Sequence, residues 1–268
     1  MFEEYVLEYC QDQFHLSHFN LTDFVHYFFK KYGSYLLNNN SLYLNWEYSF
    51  ATFEILNEIV SGESILNPIS EIDWAQMFAA LFVCHAGRTH GSNGNDRIES
   101  AAVPHPKRGI HYQRIDSDNN LWQFMVPRAL SLAEEISKEF HLIDISAVKS
   151  LIRHADPFQL TRCQDRTFDI LRSSVLIPML SDPRLKYKFL LFYRDLEEGG
   201  VLKKLKISDP SQLRTFITEE FWDTSYLQIF HGLQALEKTS RGKNFLSYLY
   251  ANVVPNEKIR QMMFKKGI

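Results

Sequence analysis

The sequence predicts an all-α protein, a single helical domain of about ten helices. Three observations carry that expectation. Glycine and proline are scarce, 11 and 9 among 268 residues, while Phe and Tyr number 21 and 13. Apolar residues recur at helical spacing along much of the chain, and no stretch of six or more residues alternates strictly between apolar and polar. Residues that start or stop helices stand where the periodic runs begin and end.

Taken in order, helices are expected near residues 3–12, 21–37, 45–60, 72–84, 96–102, 121–140, 145–155, 164–177 and 183–197, with a further set from 210 to 266. Phe53, Leu56 and Val60 mark one face of the third. Trp74, Met77, Phe78, Leu81 and Phe82 fall at i, i+3, i+4, i+7 and i+8, a single stripe of the fourth, with Asp73 as its expected cap. Ala129, Leu132, Ala133, Ile136 and Phe140 repeat the pattern, as do Val148, Leu151, Ile152 and Ala155. Asp182-Pro183 and Asp209-Pro210 each put a capping residue ahead of a proline, and the first of these segments stops at Gly199-Gly200. Asn38-Asn39-Asn40-Ser41 separates the second helix from the third. The irregular stretch expected is Cys84 to Asn120. No repeat, low-complexity tail or linker divides the chain.

Composition excludes several classes. With 29 basic and 32 acidic residues the formal net charge is -3, which argues against a body built to bind nucleic acid. The three cysteines, Cys10, Cys84 and Cys163, are too few and too far apart for a disulfide framework or a Cys-x-x-Cys metal pair, and they fit a reducing compartment. The longest apolar run, Met77 to Val83, is about a third of the ~20 residues that span a bilayer. The start Met1-Phe2-Glu3-Glu4 lacks the basic and apolar regions of a signal peptide. A cytoplasmic location without a membrane span is therefore expected. Walker, nucleophile-elbow, zincin and dinucleotide motifs are absent.

Chemistry concentrates in two places. The segment from Cys84 to Ser100 holds three glycines, His85, His90, Arg88, Arg97, Asp96 and Glu99, directly after the most apolar helix. Glycine permits close backbone approach to a ligand, arginine offers a bidentate fork for phosphate, and histidine and glutamate exchange protons near neutral pH. The second cluster runs from Arg153-His154 to Asp165, Asp169 and Arg172, the last three sharing one helix face. His85 and His90 are five apart and do not share a helical face, so no dedicated metal site is expected. Asp96 and Glu99 are compatible with magnesium or manganese held largely through water and phosphate. Lys203-Lys204-Leu205-Lys206 and Lys265-Lys266 read as solvated faces.

Four phrases in this order resemble the HD phosphohydrolase superfamily. They are Ala80-Leu81-Phe82-Val83-Cys84-His85-Ala86-Gly87-Arg88, Arg97-Ile98-Glu99-Ser100-Ala101, Leu151-Ile152-Arg153-His154, and the acidic helix from Gln164 to Arg172. The pattern is similar to the phosphodiesterase domain of SidE-type bacterial effectors. The resemblance implies an HD-like core over about 45–200 with a helical extension over 201–268. It also implies a phosphodiesterase using His/Glu acid–base chemistry, without an obligatory metal, on a nucleotide or on ADP-ribosylated or phosphoribosyl-linked ubiquitin. An effector would act after secretion into a host cytosol. Carried onto this chain, Glu99 and His85 or His90 would move the proton or attack phosphorus. His154 would be the complementary acid or base, Arg88 and Arg172 would hold the phosphate, and Asp165 would orient a histidine or arginine. Two departures matter: Cys84-His85-Ala86 stands where the superfamily has a His-Asp doublet, and no histidine occurs over 45–60. They disfavour metal-dependent chemistry. They also favour the alternative, a catalytically degenerate interaction module that binds ubiquitin, a nucleotide or another protein. In that case Phe24, Tyr27, Phe28, Tyr32 and Tyr35 would serve as a docking face or pack as core.

Overall fold

The computed structural model describes residues 2–14, 20–65, 67–97, 99–105, 109–141, 143–156, 165–220 and 225–253. Its described residues are mostly helical. α1 is Phe2–Gln13, α2 Leu21–Leu37, α3 Trp46–Glu63 and α4 Glu71–Gly87. A two-stranded hairpin follows, β1 Ser100–His105 and β2 Gly109–Arg114, and then a 3-10 segment Asp118–Phe124 leads into α5 Met125–Glu139. α6 is Ile145–His154, α7 Arg166–Ser181, α8 Leu185–Glu198, α9 Val201–Leu205 and α10 Pro210–Thr215. α10 widens into a π turn over Phe216–Glu220. α11 Phe230–Leu236 and α12 Ser240–Val253 complete the described chain. Among the described residues no helix is long and apolar enough to cross a membrane.

The helix starts have physical causes. Side chains of Asn20, Asn45, Ser70, Asp144, Asp165 and Asp209 accept a backbone N–H from the first turn of α2, α3, α4, α6, α7 and α10, removing donors that the helix cannot satisfy itself. Ser70, not the expected Asp73, caps α4; Asp73 lies inside the first turn and its N–H donates to Ser70 Oγ at 3.1 Å. Asp182 accepts from Arg184 N at 2.7 Å, which delays α8 to Leu185.

Two helices are enclosed on every side. From Trp74 to Gly87, α4 is buried at every residue except Gln76, and α7 is buried from Ile170 to Ser181. A helix apolar all round belongs at the centre of a domain. α2, α3, α5 and α6 pack around α4, and α3, α11 and α12 pack around α7. One continuous core therefore runs from Val6 to Val253. Of the aromatics offered as a docking face or core, Phe24, Phe28 and Tyr32 are at most 1% exposed and meet Phe78 and Phe82 in the core, while Tyr27 and Tyr35 are half-buried against it.

The hairpin is the main departure from the all-α expectation. The helix expected at 96–102 is instead the entry to β1, which pairs antiparallel with β2 from Ser100↔Arg114 to His105↔Gly109. Ala101, Ala102 and Val103 are all buried while β2 is exposed or half-buried, so neither strand writes an alternating pattern into the sequence. The 3-10 segment also takes the place of the first turn expected for 121–140. The expected helix residues 254–266, the start at Gln164, Cys163 and Lys265-Lys266 lie outside the described residues.

Helix contact distances are set by small residues. A Cβ at Gly62 of α3 would stand 2.1 Å from the Ala235 carbonyl oxygen of α11, a backbone atom that cannot swing aside. Gly62→Ala is expected to destabilise the protein by about 1–3 kcal/mol through overpacking, measured as a lower urea midpoint with an unchanged m-value.

Candidate functional site

The last turn of α4 delivers His85 and Arg88 to the buried base of α3. Arg88 Nη2 lies 2.8 Å from His85 Nδ1. A guanidinium only donates, so Nδ1 is the acceptor and the neutral ring carries its proton on Nε2. That Nε2–H donates to Thr52 Oγ1 at 2.8 Å, and the Thr52 hydroxyl donates to the Ser49 carbonyl at 2.7 Å. Ser49 Oγ lies 3.1 Å from Nδ1. Burial and the charge of Arg88 hold His85 well below the usual histidine range. His85 is thus neutral at pH 7, with both nitrogens engaged and 4% of its surface exposed.

Arg88 is the anomaly of the site. It is 5% exposed, and its guanidinium lies 5.2 Å from the Tyr48 ring and 4.8 Å from the Trp122 ring. Among the described residues its hydrogen bonding is the single bond to His85, and no carboxylate comes within 4.0 Å. Burial disfavours its charged form, while the more distant Asp195 and Asp118 favour it. Those two carboxylates are bound elsewhere. Asp195 accepts from the backbone N–H of Leu42, Tyr43 and Leu44 and from Asn119 Nδ2, at 2.7–3.1 Å. Asp118 accepts from Asn40 N and His90 N at 3.0 and 2.7 Å. They hold the 39–44 loop and the 3-10 segment over the ends of α3 and α4.

The loop after α4 is built around a second arginine. Arg128 of α5 is fully buried and bonds the carbonyls of Gly87, Thr89 and Ala102, Ser92 Oγ and both oxygens of Asp96. The Asp96 side chain is 3% exposed. Burial works against its charge, but the bonds from Arg128, Ala102 N and Gly91 N outweigh it and hold the carboxyl below its usual range. Gly91 takes φ +84° here, the left-handed region that glycine occupies without strain. His90 Nε2 donates to the Arg97 carbonyl at 2.7 Å. Glu99 is exposed at the start of the hairpin. Beside this loop an open cleft of about 450 Å³ lies between Asn93, Asn95, Pro104, Ile110 and Leu130.

The second sequence cluster lies apart. His154 ends α6, donates Nδ1–H to the Ser150 carbonyl at 2.8 Å and stacks on Phe168, with centroids 4.4 Å apart. Asp165 caps α7. Arg172 is buried and donates to Gln228 Oε1 at 2.6 Å. Among the described residues neither His154 nor Glu99 shares a hydrogen bond or ring contact with His85. The structure therefore joins two of the sequence candidates, His85 and Arg88. It adds residues that spacing did not single out: Ser49, Thr52, Tyr48, Trp122 and Arg128. Arg128 had a signal, since it stands with Met125, Ala129 and Leu132 at i, i+3, i+4 and i+7 on an apolar face. No group of three or more potential metal ligands occurs among the described residues.

Two outcomes test these assignments. Asp96→Asn leaves the Arg128 charge buried and uncompensated, and should cost about 3–5 kcal/mol in chemical denaturation. Asp169 on α7 is raised to about 6 by burial, against the opposing charge and backbone N–H of His231. An acid raised in the folded state contributes stability below its unfolded value of 3.8, and that contribution is lost as pH rises toward 6. Asp169→Asn should flatten this fall and raise stability at pH 7 by on the order of 1–2 kcal/mol, read from urea midpoints across pH.

A family model described as Npun_R2479-like matches residues 18–259, so the chain belongs to the Npun_R2479-like family. No curated protein and no solved structure matches it.

Proposed function

We propose that this member of the Npun_R2479-like family is an interaction module that recognises a phosphate-bearing ligand through Arg88. The observation that carries the reading is a buried guanidinium with one hydrogen bond and no carboxylate within 4.0 Å. An isolated buried charge costs several kcal/mol, and phosphate accepts a bidentate fork from arginine. Tyr48 and Trp122 hold the guanidinium plane, and neutral His85 accepts one N–H without competing for the charge. The ligand class is the one that the resemblance to SidE-type phosphodiesterase domains implies: a nucleotide, or a protein carrying an ADP-ribose or phosphoribosyl group, such as modified ubiquitin.

The hydrolase reading asks more of the same residues. His85 would have to release Arg88 from Nδ1 to take a proton there. Glu99 and His154 would have to join it from the hairpin and from the end of α6. The binding reading needs none of these movements. It retains the HD-like succession of an apolar helix ending in His85 and Arg88, a polar loop, and a later helix ending in His154.

The test is thermal stability with pyrophosphate or ADP-ribose, against chloride at equal ionic strength, for the wild type, Arg88→Met and Arg88→Lys. A ligand that binds only the folded state raises Tm with concentration. The wild type should show this rise, Arg88→Met should lose it while folding normally, and Arg88→Lys should weaken it at least about tenfold because the fork is gone. A wild type indifferent to both ligands overturns the proposal. Turnover of bis-p-nitrophenyl phosphate that disappears in His154→Ala would establish the hydrolase instead.

A further inference from the structure

On the far side of the 39–44 loop, α8 turns a stripe of large side chains outward. Tyr187 is 87% exposed and Leu190 63% exposed. Lys186, Arg194 and Glu197 are exposed on the same face. The opposite, inward side of α8 is fastened to the start of α3 and the chain before it: Leu42 N donates to Asp195, and Glu47 pairs with Lys188 at 3.1 Å. A tyrosine, a leucine and an arginine side by side on one exposed helix face match the composition of an interface centre.

The order of charge along the stripe selects the occupant. Lys186 stands near the N-terminal end of α8 and Glu197 near its C-terminal end, with Leu190 between them. At the helical repeat, Lys186 and Glu197 lie along one edge of Leu190, and Tyr187 and Arg194 along the other. A second copy packed antiparallel across a two-fold axis keeps like edges together and reverses direction. Lys186 of one copy then stands level with Glu197 of the other, and Tyr187 with Arg194, while the two Leu190 side chains meet near the axis. The first pair is an ion pair and the second a cation–π contact, each made twice. Within the chain, Lys186 and Arg194 make no ion pair among the described residues.

We infer that the α8 face is an isologous homodimer interface, closed by Leu190 and by the reciprocal pairs Lys186–Glu197 and Tyr187–Arg194. The inference is independent of Arg88. Sedimentation velocity of the full chain over a concentration series, from low micromolar upward, tests it. The wild type should sediment as a dimer. Leu190→Glu, at an exposed position, should be a monomer with an unchanged circular dichroism spectrum and a Tm that no longer rises with protein concentration. Glu197→Lys should weaken association at least about tenfold, and adding Lys186→Glu should restore it, since the swapped pair is again complementary. A wild type that stays monomeric at every concentration overturns the interface. Dimerisation unmoved by Leu190→Glu, or a swap without rescue, overturns this geometry.

Discussion

Arg128 and Asp96 hold the functional end of the molecule together. A guanidinium has five donors, and here they are distributed over α4 through Gly87, the following loop through Thr89, Ser92 and Asp96, and the hairpin through Ala102. α4, the loop, the hairpin and α5 therefore meet at one buried charge. Gly87 lets this happen, since a Cβ there would stand 3.1 Å from the backbone of α5. The loop has the glycines and asparagines of a mobile segment, yet its path is set by charge-assisted bonds in a place where water cannot substitute for them.

Arg88 is the counterpart with the opposite accounting. It lies one residue beyond the same helix, buried but not fully enclosed, with one side-chain bond in place of six. The carboxylates nearest to it in charge, Asp118 and Asp195, are spent on backbone amides of the 39–44 loop and the 3-10 segment. The contrast between a saturated and an unsaturated arginine is the physical basis for placing ligand recognition at Arg88. It also explains the place of His85, whose depressed basicity leaves Arg88 as the cation of the pair.

The α8 face lies on the outer side of this arrangement. Asp195 points inward from α8 to the 42–44 amides, while Tyr187, Leu190 and Arg194 point outward. One helix thus fastens the 42–44 amides near Arg88 and carries the surface inferred to pair with a second copy. Recognition and association would share a rigid element without sharing a side chain.

By itself the sequence determined most of the helices, their buried faces and the residue types available for chemistry. Each of these is written in local spacing: the stripe from Trp74 to Phe82, the stripe from Ala129 to Phe140, the proline after Asp209. It listed His85 and Arg88 within one segment, but only the continuation of α4 to Gly87 brought their side chains together. Tertiary structure alone decided the rest. The hairpin escaped because β1 is buried on consecutive residues and β2 hardly at all. Asp165 became a cap and His154 stacked on Phe168. Arg128 met Asp96 across 32 positions, and Asp195 met the 42–44 amides across about 150. Helical spacing has no information about such distances, since they are fixed by which buried polar groups can satisfy one another once the helices have packed.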